Sequence, residues 1–187
     1  MFFQLFLLTA FFEATIASSS SKGPFSAAEL AGSKPNFLIL FSDDFGWGDV
    51  GHNNPEVGTD TKYIDALAAS GYTFKDMHTF PLCTPSRAQL LTGRLGVRTG
   101  VVKNFVTESL AGLPRTEYTI AELLKTVGYD TAQLGKWHLG THTGYHPTFR
   151  GFDQSLTVPY SVSTLFSLYL KRVFTILTSL LLILQTG

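Results

Sequence analysis

Two adjacent carboxylates, a lone cysteine, and a lysine two residues before a histidine are the side chains of this sequence best suited to chemistry. Asp43 and Asp44 close the apolar run "NFLILFSDD". The pair reads either as an exposed strand end or as oxygen ligands for a hard cation such as calcium or magnesium, which accepts carboxylates from neighbouring residues. "GWGDVG" follows directly, and its small residues allow backbone to approach a ligand closely. Cys83, in "CTPSRAQLLTGR", is the single cysteine. A buried structural thiol is the usual fate of such a residue. A helix start with Arg87 one turn on is instead an electropositive setting, able to stabilise a thiolate or to bind a sulfate or phosphate group. Both readings stand on the residues alone. Lys136 and His138, in "KWH", lie two apart at a strand end and can face one side. The plainer account is a solvated lysine beside a packed histidine. His138 and His142 have the spacing of helical zinc ligands, but "HLGTH" lacks the metalloprotease glutamate and contains a helix-weakening glycine, so that reading is discarded.

The elements that must position these residues follow from periodicity. Phe37 to Phe41 are five consecutive apolar residues, the pattern of a strand buried on both faces in a parallel sheet. "TKYIDALAASG" places Ile64, Leu67 and Ala68 on one helical face and stops at Gly71. "YTFKDMHT" reads as a further strand. Thr84 as N-cap and Pro85 as first helical residue predict a helix over "PSRAQLLT" that ends at Gly93, with Cys83 just ahead of it. Thr119 and Glu122 have capping-box spacing, so a second helix starts there and buries Ile120, Leu123, Leu124 and Val127 before Gly128. "YDTAQLG" is the strand that delivers "KWHLG". This alternation predicts an α/β fold, a mainly parallel sheet flanked by helices. Ligands of such folds gather beyond the carboxyl ends of the strands, where Asp43, Asp44, Lys136 and His138 fall.

At 187 residues and 44% apolar composition, the chain is sized for one domain with a real core. Fourteen basic and fourteen acidic side chains cancel without a run of like charge, which argues against a nucleic-acid surface or a polybasic membrane patch and for a small-molecule partner. Residues 1–17 read as a signal peptide, with an apolar stretch from Phe2 to Phe12 and small residues before a cleavage near Ala17; a buried N-terminal helix is the alternative. Secreted domains usually pair their cysteines, so a single one implies a free thiol, an intermolecular bridge or a chemical modification. No Asn-x-Ser/Thr acceptor is present, so glycosylation says nothing either way. Residues 18–34 form a Ser-containing linker. Residues 162–187 are almost wholly apolar apart from Lys171 and Arg172. Burying those two cations at a bilayer centre costs roughly 2.5 to 3.5 kcal/mol each. A snorkelling membrane segment and a non-native tail both fit.

"CTPSRAQLLTGR" resembles the first signature of the sulfatases, Cys-x-Pro-Ser-Arg followed by Leu-Thr-Gly-Arg, and "GKWHLG" resembles the second. "SDDFGWGDVG" is similar to the family's N-terminal metal motif, and "GFDQSLTVPYS" to a later arylsulfatase segment. The similarity covers the N-terminal part of a sulfatase catalytic domain, residues 35–161, and is nearest in kind to arylsulfatases A and B. It implies the alkaline-phosphatase-like sulfatase fold, cut short here. It also implies hydrolysis of sulfate esters, and a compartment on the secretory pathway, lysosomal or extracellular. Cys83 would be oxidised to formylglycine by the formylglycine-generating enzyme in the endoplasmic reticulum, which explains why it is single. Asp43, Asp44 and the modified side chain at Cys83 would meet a calcium ion. As the hydrate, that side chain would be the nucleophile toward sulfur; Arg87 and Lys136 would stabilise negative charge, and His138 would assist the elimination. A cysteine at this position separates the family from related phosphatases and phosphodiesterases that use Ser or Thr.

Sulfatases are usually more than twice this long, and the resemblance leads one to expect a second Asp/Asn pair on the metal, another histidine and another lysine. None is assigned after Ser161. A sheet cut short leaves an unpaired edge and an uncovered apolar face, which predicts poor solubility and little calcium affinity for the isolated chain. A noncatalytic fragment, secreted or held at a membrane by its tail, is therefore the alternative to an active sulfatase.

Overall fold

The computed structural model describes residues 5–8, 33–56, 58, 60–158 and 179–185. The expected cleavage point near Ala17, most of the 18–34 linker, and the apolar stretch around Lys171 and Arg172 lie outside the described residues. Among those described, five strands form one sheet: β1 (Leu5–Leu8), β2 (Phe37–Phe41), β3 (Tyr129–Lys136), β4 (Gln154–Val158) and β5 (Ser179–Gln185). Their spatial order is β1-β2-β5-β3-β4. β3 and β4 pair in parallel, from Ala132 opposite Gln154 to Lys136 opposite Val158. β5 is antiparallel to both β2 and β3, so β2, β3 and β4 all run one way. That shared direction is the parallel frame expected from the sequence, and it brings the carboxyl ends of β2 and β3 to the same edge. β1 lies antiparallel on β2 as an outer strand, so Leu5–Leu8 is extended and not helical.

The helices are α1 (Lys62–Ser70), α2 (Cys83–Thr92), α3 (Gly96–Thr99) and α4 (Ile120–Lys125). The core gathers Ile39 of β2, Ala88 and Leu91 of α2, Ala121 of α4, Tyr129 of β3 and Ile183 of β5, with Leu113, Leu139, Trp137 and Phe152 from the connecting segments. Trp137 and Phe152 meet edge to face at 5.9 Å, the favoured arrangement for two ring quadrupoles. β2 is less enclosed than its apolar run suggests. Ile39 and Phe41 are buried, whereas Phe37, Leu38 and Leu40 are half-buried, so only one face is sealed by the described residues.

Three local expectations need correction. Cys83 is the first residue of α2 and Leu82 its N-cap, so the helix starts two residues earlier than a Thr84 cap would give. Thr84 is otherwise engaged: its amide donates to Asn104 Oδ1 at 2.9 Å, and its hydroxyl accepts from the Phe105 amide at 3.3 Å. Residues 72–78 are irregular and exposed, and Thr79 half-buried, where a strand is expected; among the described residues no strand pairs with them, and an unpaired strand has no ladder to hold it. Leu123 and Val127 are exposed. α4 is under two turns long; with Ala121 inward, Leu123 falls on the opposite side, and Val127 lies past the last helical residue.

Two devices fix the frame around the site. The α4 capping box forms as expected: Thr119 Oγ1 accepts from the Glu122 amide at 3.1 Å, and the Thr119 amide donates to Glu122 Oε2 at 2.7 Å. Arg150 is fully buried and ties three segments together, donating to the carbonyls of Leu113 (2.8 Å) and Glu117 and to Glu122 Oε1 at 3.1 Å. Gly151, at φ +90°, passes so close to α4 that a Cβ would lie 2.3 Å from the Glu122 nitrogen, so only glycine fits that turn.

Candidate active site

β2 and β3 deliver their following residues to one edge, and α2 aims its first turn at the same place. Asp43 and Asp44 come just after β2, with Asp44 in the left-handed region at φ 55°. His138, two residues beyond the end of β3, is left-handed as well, at φ 59°. These are the two non-glycine residues with positive φ among those described, and both belong to the predicted cluster. Such backbone is costly for an L-residue and persists where surrounding contacts enforce it.

The structure brings all six predicted residues together. One ligand atom each from Asp43, Asp44 and Cys83 lie within 4.8 Å of one another. Lys136 Nζ donates to Asp43 Oδ2, and Arg87 Nη2 stands 3.8 Å from the same oxygen. Arg87 also donates through Nη1 to the Lys136 carbonyl at 2.6 Å, which couples α2 to the end of β3. Its guanidinium stacks 5.2 Å from the Phe41 ring centre. Both cations are almost wholly buried, Lys136 at 3% and Arg87 at 4% exposure, so the lysine is not the solvated side chain of the plainer account. Lys136 and Arg87 stand against Asp43 and Asp44, so the buried cations are balanced by carboxylates at the same edge.

Protonation follows from this crowding. Burial alone would raise the Asp43 carboxyl, but the Arg87 charge and the Lys136 hydrogen bond outweigh it and hold the group below its ordinary value. Cys83 goes the other way: burial and the Asp43 charge push its thiol up, and Lys136 only partly offsets them. A thiolate is therefore disfavoured despite the helix N-terminus. Burial pushes His138 down to about 4, with Lys136 and Arg87 adding repulsion and the Phe105 carbonyl opposing. Its Nε2 lies 2.9 Å from that carbonyl, which can only accept, so Nε2 carries the proton and Nδ1 the lone pair of the neutral ring.

The donor set suits a hard divalent cation. Two carboxylates converge, and Asp43 Oδ1 is buried without a hydrogen-bond partner among the described residues, an oxygen that suits a positive neighbour. A thiol is a poor ligand for such an ion; an oxygen at position 83 would add to a hard set. Asn104 and Phe105 are the residues here that sequence reasoning missed. They seat the first turn of α2 and the His138 ring through one amide oxygen and one backbone carbonyl, and "VKNFV" carries no motif that marks them.

Fold and site together define an α/β protein whose parallel strands carry carboxylate, lysine and histidine to one sheet edge, against a cysteine-bearing helix start. The chain belongs to the sulfatase family: residues 35–165 match the family description Sulfatase. It is 53% identical over 136 residues to arylsulfatase G of Canis lupus familiaris, which covers 72% of this chain and 25% of that protein. Against arylsulfatase A of Homo sapiens it is 45% identical over 141 residues, 72% of this chain and 27% of the other. Among solved structures it superposes on Ps i-CgsB with a TM-score of 0.61 at 35% identity, over 73% of this chain and 33% of that one. The PsFucS1 sulfatase from Pseudoalteromonas sp. gives 0.58 at 37% identity, over 67% and 28%. The fold is thus part of the alkaline-phosphatase-like sulfatase architecture. The chain spans about a quarter of the length of the curated relatives it matches.

Proposed function

We propose that the chain carries part of the active site of a sulfuric ester hydrolase, in which Cys83 is the precursor of a formylglycine nucleophile and Asp43 and Asp44 hold calcium. The observation that supports this most directly is the state of the thiol. It sits within 4.8 Å of two carboxylates, with buried Lys136 and Arg87 alongside, and burial and the Asp43 charge push it up, so as cysteine it is a weak nucleophile. In such a site calcium supplies neutralisation of sulfate charge, and formylglycine supplies an oxygen nucleophile.

The chain's own residues do the rest. Arg87 and Lys136, both buried, place fixed positive charge where the sulfate oxygens would gather, and their burial weakens the screening of that charge by water. Asp43 orients both cations and so holds the pocket's shape. His138 stays neutral down to about pH 4, with its Nε2 proton committed to Phe105 and its Nδ1 lone pair able to accept a proton from a hydroxyl at position 83. The substrate is a sulfate ester. Maturation by the formylglycine-generating enzyme requires entry to the secretory pathway, for which residues 1–17 would be the leader, with lysosomal delivery or release following; removal of that leader would take β1 from the edge of the sheet.

The test is hydrolysis of a chromogenic aryl sulfate in the presence of calcium, by chain purified from a secretory host and by its Cys83→Ala variant. Turnover that the variant loses supports the proposal. Absence of turnover in a soluble, folded sample contradicts it and leaves a noncatalytic chain, secreted or membrane-held, as the account.

A further inference from the structure

The two strands that carry the site do not touch each other. β5 lies between them, with Leu180 to Ile183 opposite Leu40 to Phe37 on one side and Ser179 to Gln185 opposite Gly135 to Tyr129 on the other. At about 4.8 Å per strand spacing, β2 and β3 are held roughly 9.6 Å apart by this insertion. The Asp43 to Lys136 ion pair spans that gap at its carboxyl edge. Ile183, opposite both Phe37 and Thr131, is fully buried in the core.

We propose that the apolar segment Ser179–Gln185 is a central strand of this chain's own sheet, which fills the slot between the two site-bearing strands and sets their separation, and that it is not a membrane anchor. Its composition agrees. A strand paired on both edges suits the near-continuous apolar run "LLLIL" of Leu180 to Leu184. With both edges paired, its backbone groups are satisfied within the protein. A lone extended segment in a bilayer would leave them without partners. The inference uses topology and burial only, and stands whether or not the chain hydrolyses sulfate esters.

The test is register-specific cross-linking in the full chain carrying Cys83→Ala, so that the engineered thiols are alone. Leu40→Cys with Leu180→Cys joins residues directly opposite, where antiparallel Cα atoms are about 4.5 to 5.5 Å apart and within disulfide reach. Leu40→Cys with Ile183→Cys places them three residues out of register, roughly 10 Å along the strand, and is the control. The expected result is loss of both thiols to an intrachain disulfide in the first pair, with both retained in the second. An interchain disulfide, which would seat a second copy's strand in the slot, overturns the proposal; so does a folded first pair that keeps both thiols. Hydrogen exchange on the chain without substitutions gives an independent reading should the variants fail to fold. Slow exchange shared by residues 179–185 and 129–136 in lipid-free buffer supports the proposal, and free exchange of 179–185, or slowing only when phosphatidylcholine vesicles are added, overturns it.

Discussion

Acidification should destabilise the folded chain through His138, and the size of the effect follows from its surroundings. The ring is 6% exposed, faces Lys136, Arg87 and Asp43, and has its folded pKa brought down from 6.5 to about 4. The unfolded chain therefore takes up this proton near pH 6.5, while the folded chain resists until about pH 4. Between those values the unfolded state binds more protons, so stability rises with pH: the contribution is present above 6.5 and is lost as pH falls through 4. At 1.36 kcal/mol per unit, that interval amounts to about 3 kcal/mol, a large share of the ~5–15 kcal/mol that holds a typical domain. Urea unfolding followed by tryptophan fluorescence, in steps from pH 7 to pH 4, measures it when wild type is set against His138→Gln. Glutamine can still donate to Phe105, and its left-handed backbone cost does not vary with pH. Carboxylates shared by the two proteins cancel in the comparison, and Asp43 titrates below 3.8. The stability difference should shrink by about 3 kcal/mol across the range. Parallel curves would refute the argument that burial holds this ring neutral.

The thiol offers a second check. In chain made where Cys83 stays unmodified, iodoacetamide should react more slowly than with a free cysteine at pH 8, with its half-point shifted to higher pH than a free cysteine's, and Asp43→Asn should speed the reaction by removing a charge that raises the thiol. Arg150→Met should cost about 2 to 4 kcal/mol in chemical unfolding, since it leaves the Leu113 and Glu117 carbonyls and the Glu122 carboxylate without their buried donor. Thr119→Ala should cost about 1 to 2 kcal/mol, because that hydroxyl caps α4 and donates to the Arg150 carbonyl at 2.9 Å; thermal denaturation reads it as a lowered midpoint.

The parts of this fold that sequence made legible are those with a local cause. Five apolar residues before two aspartates, and "YDTAQLG" before "KWH", mark strands whose carboxyl ends must carry the site, and the structure brings those ends together. The Thr119 to Glu122 spacing foretells a cap because both partners lie within one turn. What stayed hidden depends on partners distant in sequence. Thr84 looks like a cap until Asn104, 20 residues on, claims its amide. Arg150 has no motif, and its role exists only because Leu113, Glu117 and Glu122 fold around it. The tyrosine, phenylalanine and lysine of residues 72–75 alternate like a strand, but alternation creates no partner edge. The leucines of β5 suggest a membrane segment or a non-native tail, since a continuous apolar run carries no period that would mark it as a strand.

The central claim is that position 83 is a cysteine by sequence and an aldehyde in the working protein. Peptide mass spectrometry of residues around Cys83, from chain secreted by a host that makes the formylglycine-generating enzyme, tests it most directly. The account predicts loss of the thiol sulfur and capture of the peptide by a hydrazide. Recovery of the peptide wholly as alkylatable cysteine, from folded secreted material, would contradict it.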